Sequence, residues 1–488
     1  MKYFALAALA ASTFLTQPAY AELSSTDESE ILENVSEDAQ PIEETALAIW
    51  DFAELGYKET QSSGLLQQRL KQAGFSITPG IAGEPTAFLA SYKNGDGPVI
   101  ALLAEFDALP GLSQKAGVGT QQSAGGIAGH GCGHNLFGTA STYAGIAVKE
   151  WMKANNIKGE VRVYGTPAEE GGSGKAFMVR DGYFDDVDIA IHWHPGNVNS
   201  ASQGPTLANI SGKFRFHGIS AHAAGNPDKG RSALDGVEAM DDMVNMMREH
   251  IPDYTRIHYV ITNGGKAPNV VPDFAEAYYY VRHQDPEVVR NVMEWVKQAA
   301  QGAALGTQTT VEFEQTGGVY SMMPNETLMH VMDRNLHRVG GITWTEEEKA
   351  FGAAIQKSFG REAPALDTVG EVEDAQLYDK AMGGSTDVSD VSWIVPTVGL
   401  STATFVPGSP GHSWQNTAAA GSSVGIKGAV VATKTLALTA AELFRSPDVI
   451  DEAKEELAER VGPDFEYEAL VGDRAPPLDY RDNVSKGD

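Results

Sequence analysis

The sequence predicts an α/β protein with two domains, in which a larger α/β sandwich carries an inserted ferredoxin-like domain. Strand-like apolar runs alternate with helical patterns early in the chain, which indicates a largely parallel sheet covered by helices. A β-α-β-β-α-β order follows, and this is the order of a small ferredoxin-like domain. The α/β pattern then resumes, so the smaller domain interrupts the larger one.

Changes in these patterns divide the chain. We expect an export signal at 1–21, a loose acidic leader at 22–41, the larger domain at 42–205 and 321–445, the inserted domain at 206–320, and a surface tail at 446–488. In the larger domain, helices are expected from Glu43 and over Ser63–Ala73, Thr139–Asn155 and Gly421–Phe444, and strands over Val99–Ala104, Gly159–Tyr164 and Val187–Ile191 and near Val398. In the inserted domain, strands are expected over Lys213–His217, Ile257–Thr262, Ala275–Arg282 and Val311–Glu314, and helices over Ala233–His250 and Pro286–Gln301.

The N-terminus predicts export. Lys2 precedes a short apolar run over 3–15, and Ala19-Tyr20-Ala21 is a small-residue cleavage site. The run is too short to span a bilayer, and no cysteine follows the cleavage site to carry a lipid anchor. We therefore expect the mature chain to begin at Glu22. In a Gram-negative source it would reside in the periplasm.

Composition narrows the class of partner. The formal net charge is −29, whereas a nucleic-acid partner calls for a basic face, so we expect no nucleic-acid partner. After cleavage of the signal we find no apolar run that suggests membrane insertion. Cys132 is the only cysteine and cannot form a disulfide within the chain. A free cysteine is often a small core residue, but the flanking Gly-Cys-Gly-His favours a metal ligand.

Residues that bind metals follow the predicted strands. Glu105 and Asp107 follow the first strand, Glu169 and Glu170 the second, and His192 and His194 the third, while His412 lies in a later glycine- and proline-rich loop. In open α/β sheets, sites lie at the carboxyl ends of strands. Thiolate, imidazole and carboxylate together bind Zn²⁺, Mn²⁺ or Co²⁺. The pattern therefore indicates a metal centre with a spare carboxylate, as metal-assisted hydrolysis requires.

These motifs resemble those of the M20 family of metallopeptidases and amidohydrolases, in the branch of aminoacylases and auxin-conjugate hydrolases that carries a Cys-Gly-His metal motif. The resemblance runs from about Trp50 to Phe444. The matching motifs are Ala104–Pro110, His130–Asn135, Gly165–Gly172, Ser220–Ala223, Asn263–Asn269 and Gly411–Ser413. The resemblance implies a catalytic domain interrupted by a lid domain that mediates dimerisation. It also implies a substrate such as an N-aroyl glutamate.

The resemblance implies a role for each matching residue. Two divalent ions per subunit, Zn²⁺ or Mn²⁺ and also Co²⁺, would share the Cys132 thiolate. His134 and His192 would bind one ion, and Glu170 and His412 the other. His192 is preferred to His194 because the family pattern is His-x-x-Pro. Implied supporting roles are Asp107 orienting the ligands, Glu169 as general base, a lid-domain His222 from the partner subunit at the oxyanion, and Asn269 and Arg282 holding the substrate.

Two departures from the family pattern are visible. Glu105-Phe106-Asp107 replaces the His-x-Asp of the wider family, and Asn135 replaces an aspartate that usually follows the Cys-Gly-His motif. The first departure implies that His134 takes the place of the missing histidine. The second removes charge at position 135 and leaves the ligand set intact.

The expected activity is hydrolysis of the amide bond of N-acyl or N-aroyl amino acids, by a homodimer in the family's manner or together with a homologous second subunit. A dipeptidase or carboxypeptidase of the same fold differs only in substrate. A cysteine hydrolase that uses Cys132 leaves Glu169, Glu170 and His412 without roles, and EDTA resistance would distinguish it. A non-catalytic binding module would lack ligands or base, and here both are present.

Overall fold

The computed structural model describes residues 23–381 and 383–482. The predicted export signal lies outside these residues. The α-helices are α1 (Ser25–Glu37), α2 (Ala39–Phe52), α3 (Thr60–Gln72), α4 (His134–Ala154), α5 (Gly174–Arg180), α6 (Ala233–Met247), α7 (Pro286–Thr307), α8 (Glu326–Val339), α9 (Glu346–Gln356), α10 (Val388–Ser392), α11 (Trp414–Ala420), α12 (Ser423–Arg445) and α13 (Pro447–Val461). The strands are β1 (Ser76–Pro79), β2 (Phe88–Lys93), β3 (Val99–Ala104), β4 (Leu109–Pro110), β5 (Ala128–Gly129), β6 (Glu160–Gly165), β7 (Ile189–Ile191), β8 (His194–Gly196), β9 (Asn199–Ser200), β10 (Ala208–His217), β11 (Arg256–Asn263), β12 (Phe274–His283), β13 (Thr310–Val319), β14 (Val372–Glu373), β15 (Thr397–Val398) and β16 (Ser401–Ala403).

The larger domain is built on a sheet with the strand order β1-β2-β6-β3-β7-β15. Strand β3 pairs parallel with β6 and β7, and β7 pairs parallel with β15. Alternate residues of β3 enter different cores: Ile100 and Leu102 face one cluster, and Ala101 and Leu103 the other. A strand buried on both faces is continuously apolar, and the predicted α/β class is confirmed.

Helices cover both faces of this sheet. The first face carries α4, which packs on β3, and α12, which packs on α4. The second face carries α5 and α10, which pack on each other. By length and hydropathy α12 passes a test for a membrane span, contrary to the sequence expectation, but 78% of its most apolar window is buried inside the protein. Burial of this extent is typical of a core helix.

The predicted loose leader is wrong. Residues 25–37 form α1, whose Ile31 and Val35 are buried in the main core. Ser24 caps the helix by accepting a hydrogen bond from the Asp27 main-chain N–H at 3.1 Å. Asp27 in turn accepts from the Trp151 indole at 2.8 Å. The acidic composition suggested a solvated segment, but the apolar residues fall four apart on one helical face.

The inserted domain has the predicted order β10-α6-β11-β12-α7-β13. Its antiparallel sheet has the strand order β11-β12-β10-β13, with α6 and α7 packed against one face. Asp285 caps α7, and Pro286 occupies its first turn, where its missing N–H costs nothing. The opposite sheet face carries alternate residues of β12, including Tyr278, Tyr280 and Arg282. We call it the open face of the inserted domain.

The C-terminal tail contains structure that the sequence did not suggest. Residues 447–461 form α13, and Ala469, Leu470 and Val471 are buried. Leu470 belongs to the core of the inserted domain, whereas Ala469 and Val471 belong to a core of the larger domain. The tail therefore packs against both domains and does not simply wrap the surface.

Candidate metal centre

Three strands deliver side chains to one edge of the main sheet. Because β3, β6 and β7 run parallel, the residues that follow them meet at the same edge. Glu105 and Asp107 follow β3, and Glu169 and Glu170 follow β6. The loop after β6 is conformationally unusual, since Ala168 adopts a φ of 59° directly before Glu169. Such backbone conformations concentrate at functional sites.

The Gly129–His134 loop brings Cys132 to this edge. Gly133 has a φ of 82° and precedes the first residue of α4, which is His134. A Cβ at Gly129 would lie 2.1 Å from the Leu112 carbonyl oxygen, so only glycine fits there. The helix begins five residues before the predicted Thr139, because the tight loop ends directly at the candidate ligand.

Three groups of side chains in the described residues have ligand atoms within 4.8 Å of one another. They are Cys132, His134 and His194; Cys132, Glu170 and His412; and Glu105, His134 and Glu169. Cys132 is common to the first two groups, which is the position implied for a shared thiolate. We call the residues of these three groups the metal-centre cluster.

Asp107 contacts two members of the cluster. Its Oδ1 lies 2.8 Å from Nδ1 of His134, and its Oδ2 accepts the main-chain N–H of Glu170 at 2.9 Å. The first contact places the proton on Nδ1 and leaves Nε2 of His134 available as a ligand atom. Although burial opposes charge on the ring, Cys132 and Asp107 raise the pKa of His134 well above its ordinary value.

The assignment of His192 as a ligand is corrected by the structure. The ring of His192 lies against Gly399, with Nε2 2.3 Å from the place of a Cβ on that glycine. The histidine that lies in the cluster is His194, whose Nε2 is 3.4 Å from the Cys132 sulfur. Nδ1 of His194 lies 2.8 Å from the Pro195 carbonyl oxygen, which fixes the tautomer that leaves Nε2 free.

The path of the chain explains why His194 lies in the cluster and His192 does not. His192 still pairs with Val398 beside the main sheet, whereas His194 opens β8, which pairs with β16 in a different sheet. Trp193 between them is buried and donates its indole N–H to the Phe137 carbonyl. Because the strand changes sheets, the two histidines do not share a face despite their alternate spacing.

Glu170 and His412 form the other side of the cluster. His412 Nε2 lies 3.3 Å from Glu170 Oε1, and 57% of the His412 side chain is exposed while Glu170 is nearly covered. His412 adopts a φ of 49° in its glycine- and proline-rich loop. The imidazole therefore closes the cluster from the solvent side.

Glu105 belongs to a buried charge network that the sequence did not reveal. Lys175 lies 2.6 Å from Glu105 and 2.7 Å from Asp387, and all three are almost fully buried. Although burial opposes ionisation of Glu105, Lys175 and His134 hold its pKa below the ordinary value. Lys175 lies on the short helix α5, among apolar residues, where no local pattern marks a charged pair.

Glu169 stands next to this network. Burial, followed by the charges of Glu105 and Glu170, raises the pKa of Glu169 well above its ordinary value. A carboxyl with a raised pKa can take and return a proton near neutral pH. The same crowding of carboxylates also calls for further positive charge in the cluster.

Asn135 has a structural role in this chain. Its side-chain amide donates to the main-chain oxygens of Ala46 and Ala420, each at 3.1 Å, and the residue is fully buried. The departure at position 135 therefore joins α4 to α2 and α11.

The lid residues lie outside the cluster. His222 is exposed, and its Nδ1 accepts the main-chain N–H groups of Ala224 at 3.2 Å and Gly225 at 3.0 Å. Asn269 lies in the adjoining turn, where its carbonyl oxygen accepts from the Ala223 N–H. Arg282 lies on the open face of the inserted domain, with its guanidinium carbon 5.2 Å from the centre of the Tyr280 ring. None of the three belongs to the cluster formed by the described residues.

Comparison with known proteins shows which family this chain belongs to. A family model described as a peptidase dimerisation domain of the M20 type matches residues 208–307, the inserted domain. The chain is 41% identical over 447 residues to one of the subunits of p-aminobenzoyl-glutamate hydrolase from Escherichia coli (strain K12), with 86% of this chain and 93% of the relative covered. The chain belongs to the M20 family.

Two further known proteins are similar to this chain. The chain is 28% identical over 460 residues to Xaa-Arg dipeptidase of Mus musculus, with 90% of this chain and 95% of the relative covered. A dinuclear metal-binding M20 peptidase of Bacillus subtilis superposes with a TM-score of 0.56 at 17% identity, over 84% of this chain and 99% of that one, which shows a shared fold. The predicted family and enzyme class are thus confirmed, and the protein is an amidohydrolase similar to p-aminobenzoyl-glutamate hydrolase.

Proposed function

We propose that this protein is an exported, metal-dependent amidohydrolase that cleaves N-acyl or N-aroyl amino acids, with Glu169 as the general base. One observation carries the proposal: Cys132 is shared by two groups of ligand atoms, and Glu169 stands beside them. The export signal predicted for residues 1–21 supports a location outside the cytoplasm.

The donor set fits a pair of divalent cations. Burial, followed by Glu170, raises the pKa of the Cys132 thiol well above its ordinary value, and nearby cations would reverse this. Within the described residues, buried Oε1 of Glu170 and Nε2 of His134 make no hydrogen bond. Their nearest charged neighbours are other members of the cluster, His412 at 3.3 Å from the first atom and Glu105 at 3.2 Å from the second. One ion would be held by His134 and His194, the other by Glu170 and His412, with Cys132 between them. This combination favours Zn²⁺ and also accepts Mn²⁺ or Co²⁺.

The bound ions would supply Lewis acidity that polarises the amide carbonyl and acidifies a water molecule. Glu169 takes a proton from that water and later returns it to the leaving amine nitrogen. Asp107 keeps His134 in one tautomer and holds the main chain of Glu170. Through these two contacts, Asp107 fixes the positions of His134 and of the Glu169-Glu170 main chain relative to each other.

His222 is arranged as a hydrogen-bond donor. Because Nδ1 accepts two main-chain N–H groups, the neutral ring carries its proton on Nε2 and directs an N–H outward. Such a donor stabilises the oxyanion of a tetrahedral intermediate. In this proposal His222 serves the centre of a second copy in a homodimer, and Asn269 and Arg282 hold the substrate.

Similarity to the E. coli p-aminobenzoyl-glutamate hydrolase subunit supports N-aroyl glutamates as the substrates of this protein. Because that relative is one subunit of its hydrolase, a homologous second subunit is the alternative to the homodimer. Dipeptide hydrolysis is the second candidate activity. Similarity to the mouse Xaa-Arg dipeptidase, which this chain matches along nearly its whole length, supports this second activity.

Two adjacent glutamates provide a matched test. We expect Glu169→Ala to retain metal and to lose turnover by about 10²-fold or more, since a general base is removed. Glu170→Ala should lose metal. Metal content by mass spectrometry and hydrolysis of a panel of N-acyl and N-aroyl amino acids measure both, and metal loss in Glu169→Ala would show that the two roles are exchanged.

A further inference from the structure

The C-terminal tail runs from the inserted domain to the loop after β6 that carries Glu169 and Glu170. Arg474 donates to the Thr316 carbonyl on β13 at 2.8 Å, while its own carbonyl accepts from Arg180 of α5 at 2.6 Å. Farther on, Arg481 donates to the Glu170 carbonyl at 2.5 Å. One short segment thus contacts both domains and ends at the metal-centre cluster.

Local packing holds the end of this segment. The Tyr480 ring meets Tyr57 edge-on at 5.8 Å, and its hydroxyl lies 2.2 Å from the place of a Cβ on Gly56, a space that only glycine leaves open. The Arg481 guanidinium lies 4.9 Å from the centre of the Tyr480 ring. Asp482 pairs with Lys58 at 2.9 Å. The position of Arg481 is therefore determined by contacts on both of its sides.

A second arginine approaches from the open face of the inserted domain. Arg282 stacks on Tyr280, and its buried Nε has no hydrogen-bond partner within the described residues. The Tyr280 hydroxyl continues to Tyr278 at 3.2 Å, and that of Tyr278 to Thr316 at 3.0 Å. Thr316 is also the residue that receives Arg474. The open face and the tail are thus parts of one polar surface.

Each of the two arginines lies over a tyrosine ring of this polar surface, Arg282 over Tyr280 and Arg481 over Tyr480. Burial, followed by Tyr278, raises the pKa of Tyr280, and the charges of Arg282 and Arg481 oppose that shift. This surface thus carries two guanidinium groups in a protein whose net charge is −29. A guanidinium binds carboxylate in a planar, two-pronged geometry, which makes this surface suited to an anionic ligand with more than one carboxylate.

We propose that Arg481 is a specificity-determining residue that binds the side-chain carboxylate of an N-acylated dicarboxylic amino acid, with Arg282 taking the α-carboxylate. The inference rests on the proposed function and deepens it, because it names the residue that selects the side chain of the substrate. The hydrogen bond to the Glu170 carbonyl places the Arg481 guanidinium at the main chain of the residue that follows the candidate base Glu169. A neutral side chain in the substrate would leave Arg481 without an anionic partner.

The test compares p-aminobenzoyl-glutamate with p-aminobenzoyl-glutamine, which differ by one charge. We expect Arg481→Gln to raise KM for the glutamate compound by about 10- to 100-fold with little change in kcat, as for a lost charged hydrogen bond. KM for the glutamine compound should stay within about twofold. Arg460→Gln removes an arginine from an i,i+4 pair within α13 and is the matched control. Equal loss on both compounds, or no loss, would overturn the assignment.

Binding measurements separate this inference from the proposed function. Calorimetry of the two compounds with metal-free wild type and Arg481→Gln needs no turnover, and the preference for glutamate should disappear in the variant. If metal-loaded wild type hydrolyses no compound of the panel, the proposed function fails while the binding preference still decides the inference. Tyr480→Phe keeps the ring under Arg481 and should keep the preference, and loss of it there would assign the effect to tail folding.

Discussion

The two histidines His134 and His222 show how differently the two domains prepare functional groups. His134 is fully buried and held by Asp107, and its neighbours come from three parallel strands of the same chain. His222 is exposed, and its Nδ1 accepts hydrogen bonds from its own turn. The larger domain therefore assembles the metal-centre cluster within one chain, whereas the inserted domain carries an exposed donor that we propose serves a second copy.

The largest effect is expected at the centre of the buried cluster. Cys132→Ala should lose both metal and activity, because the thiolate belongs to two ligand groups. Removing an outer partner of a ligand already costs about 10- to 100-fold, so the loss should exceed about 100-fold. Metal content and hydrolysis rates measure it. Cys132→Asp should keep part of the activity, and full activity of Cys132→Ala would refute a metal role for this residue.

A pair of neighbouring histidines sharpens the description of the cluster. His194→Ala should lose metal affinity by more than about 100-fold, since Nε2 faces Cys132. His192→Ala should keep its metal and lose only stability, because its ring packs on Gly399. Equilibrium dialysis with Zn²⁺ compares the two variants. Metal loss in His192→Ala with metal retained in His194→Ala would restore the assignment made from the motif.

The exposed histidine gives the next effect. His222→Ala alone should lower turnover by roughly 10²-fold through loss of an oxyanion donor. Mixed with Glu169→Ala, it should regain about one quarter of wild-type activity, since half of randomly reassociated dimers are mixed and each has one intact site. Subunit exchange is followed independently with labelled chains. Exchange without recovery would place His222 in its own subunit's chemistry or in a structural role.

The smallest effect concerns the junction of the two domains. Asp390 accepts hydrogen bonds from the Tyr467 hydroxyl at 2.6 Å and the Tyr320 N–H at 3.1 Å, and burial raises its pKa to about 7. Between about pH 4 and pH 7, Asp390 is protonated in the folded protein and ionised in the unfolded chain. The contribution of the protonated carboxyl to the free energy of unfolding is therefore complete below about pH 4 and is lost as the pH rises to about 7. Between pH 5 and 8 the free energy of unfolding should fall by about 2 to 3 kcal/mol more in wild type than in Asp390→Asn. Urea titrations at the two pH values measure this difference, and equal changes would contradict it.

Local patterns were sufficient for much of the fold. The run Val99–Ala104 is apolar throughout because both faces of β3 are covered, and the structure has a strand over the same residues. Strands were likewise predicted within β10 and β12, over Lys213–His217 and Ala275–Arg282, and the structure pairs these two strands antiparallel. By contrast, the acidic residues of α1 concealed a buried face, and α13 was missed in a charged segment. The predicted domain boundaries and the export signal remain predictions.

For the site, the sequence by itself determined the chemical types and their arrival at strand ends: Cys132, the Glu169-Glu170 pair and the histidines after β7 and in the late loop. The His-x-x-Pro pattern selected His192, but the chain changes sheets between His192 and His194, and only His194 reaches the metal-centre cluster. Only the tertiary structure joined Lys175 to Glu105 and Asp387, and brought Arg481 to Glu170, 311 residues away in sequence. Contacts of that kind depend on where whole domains and tails pack, which local spacing does not record.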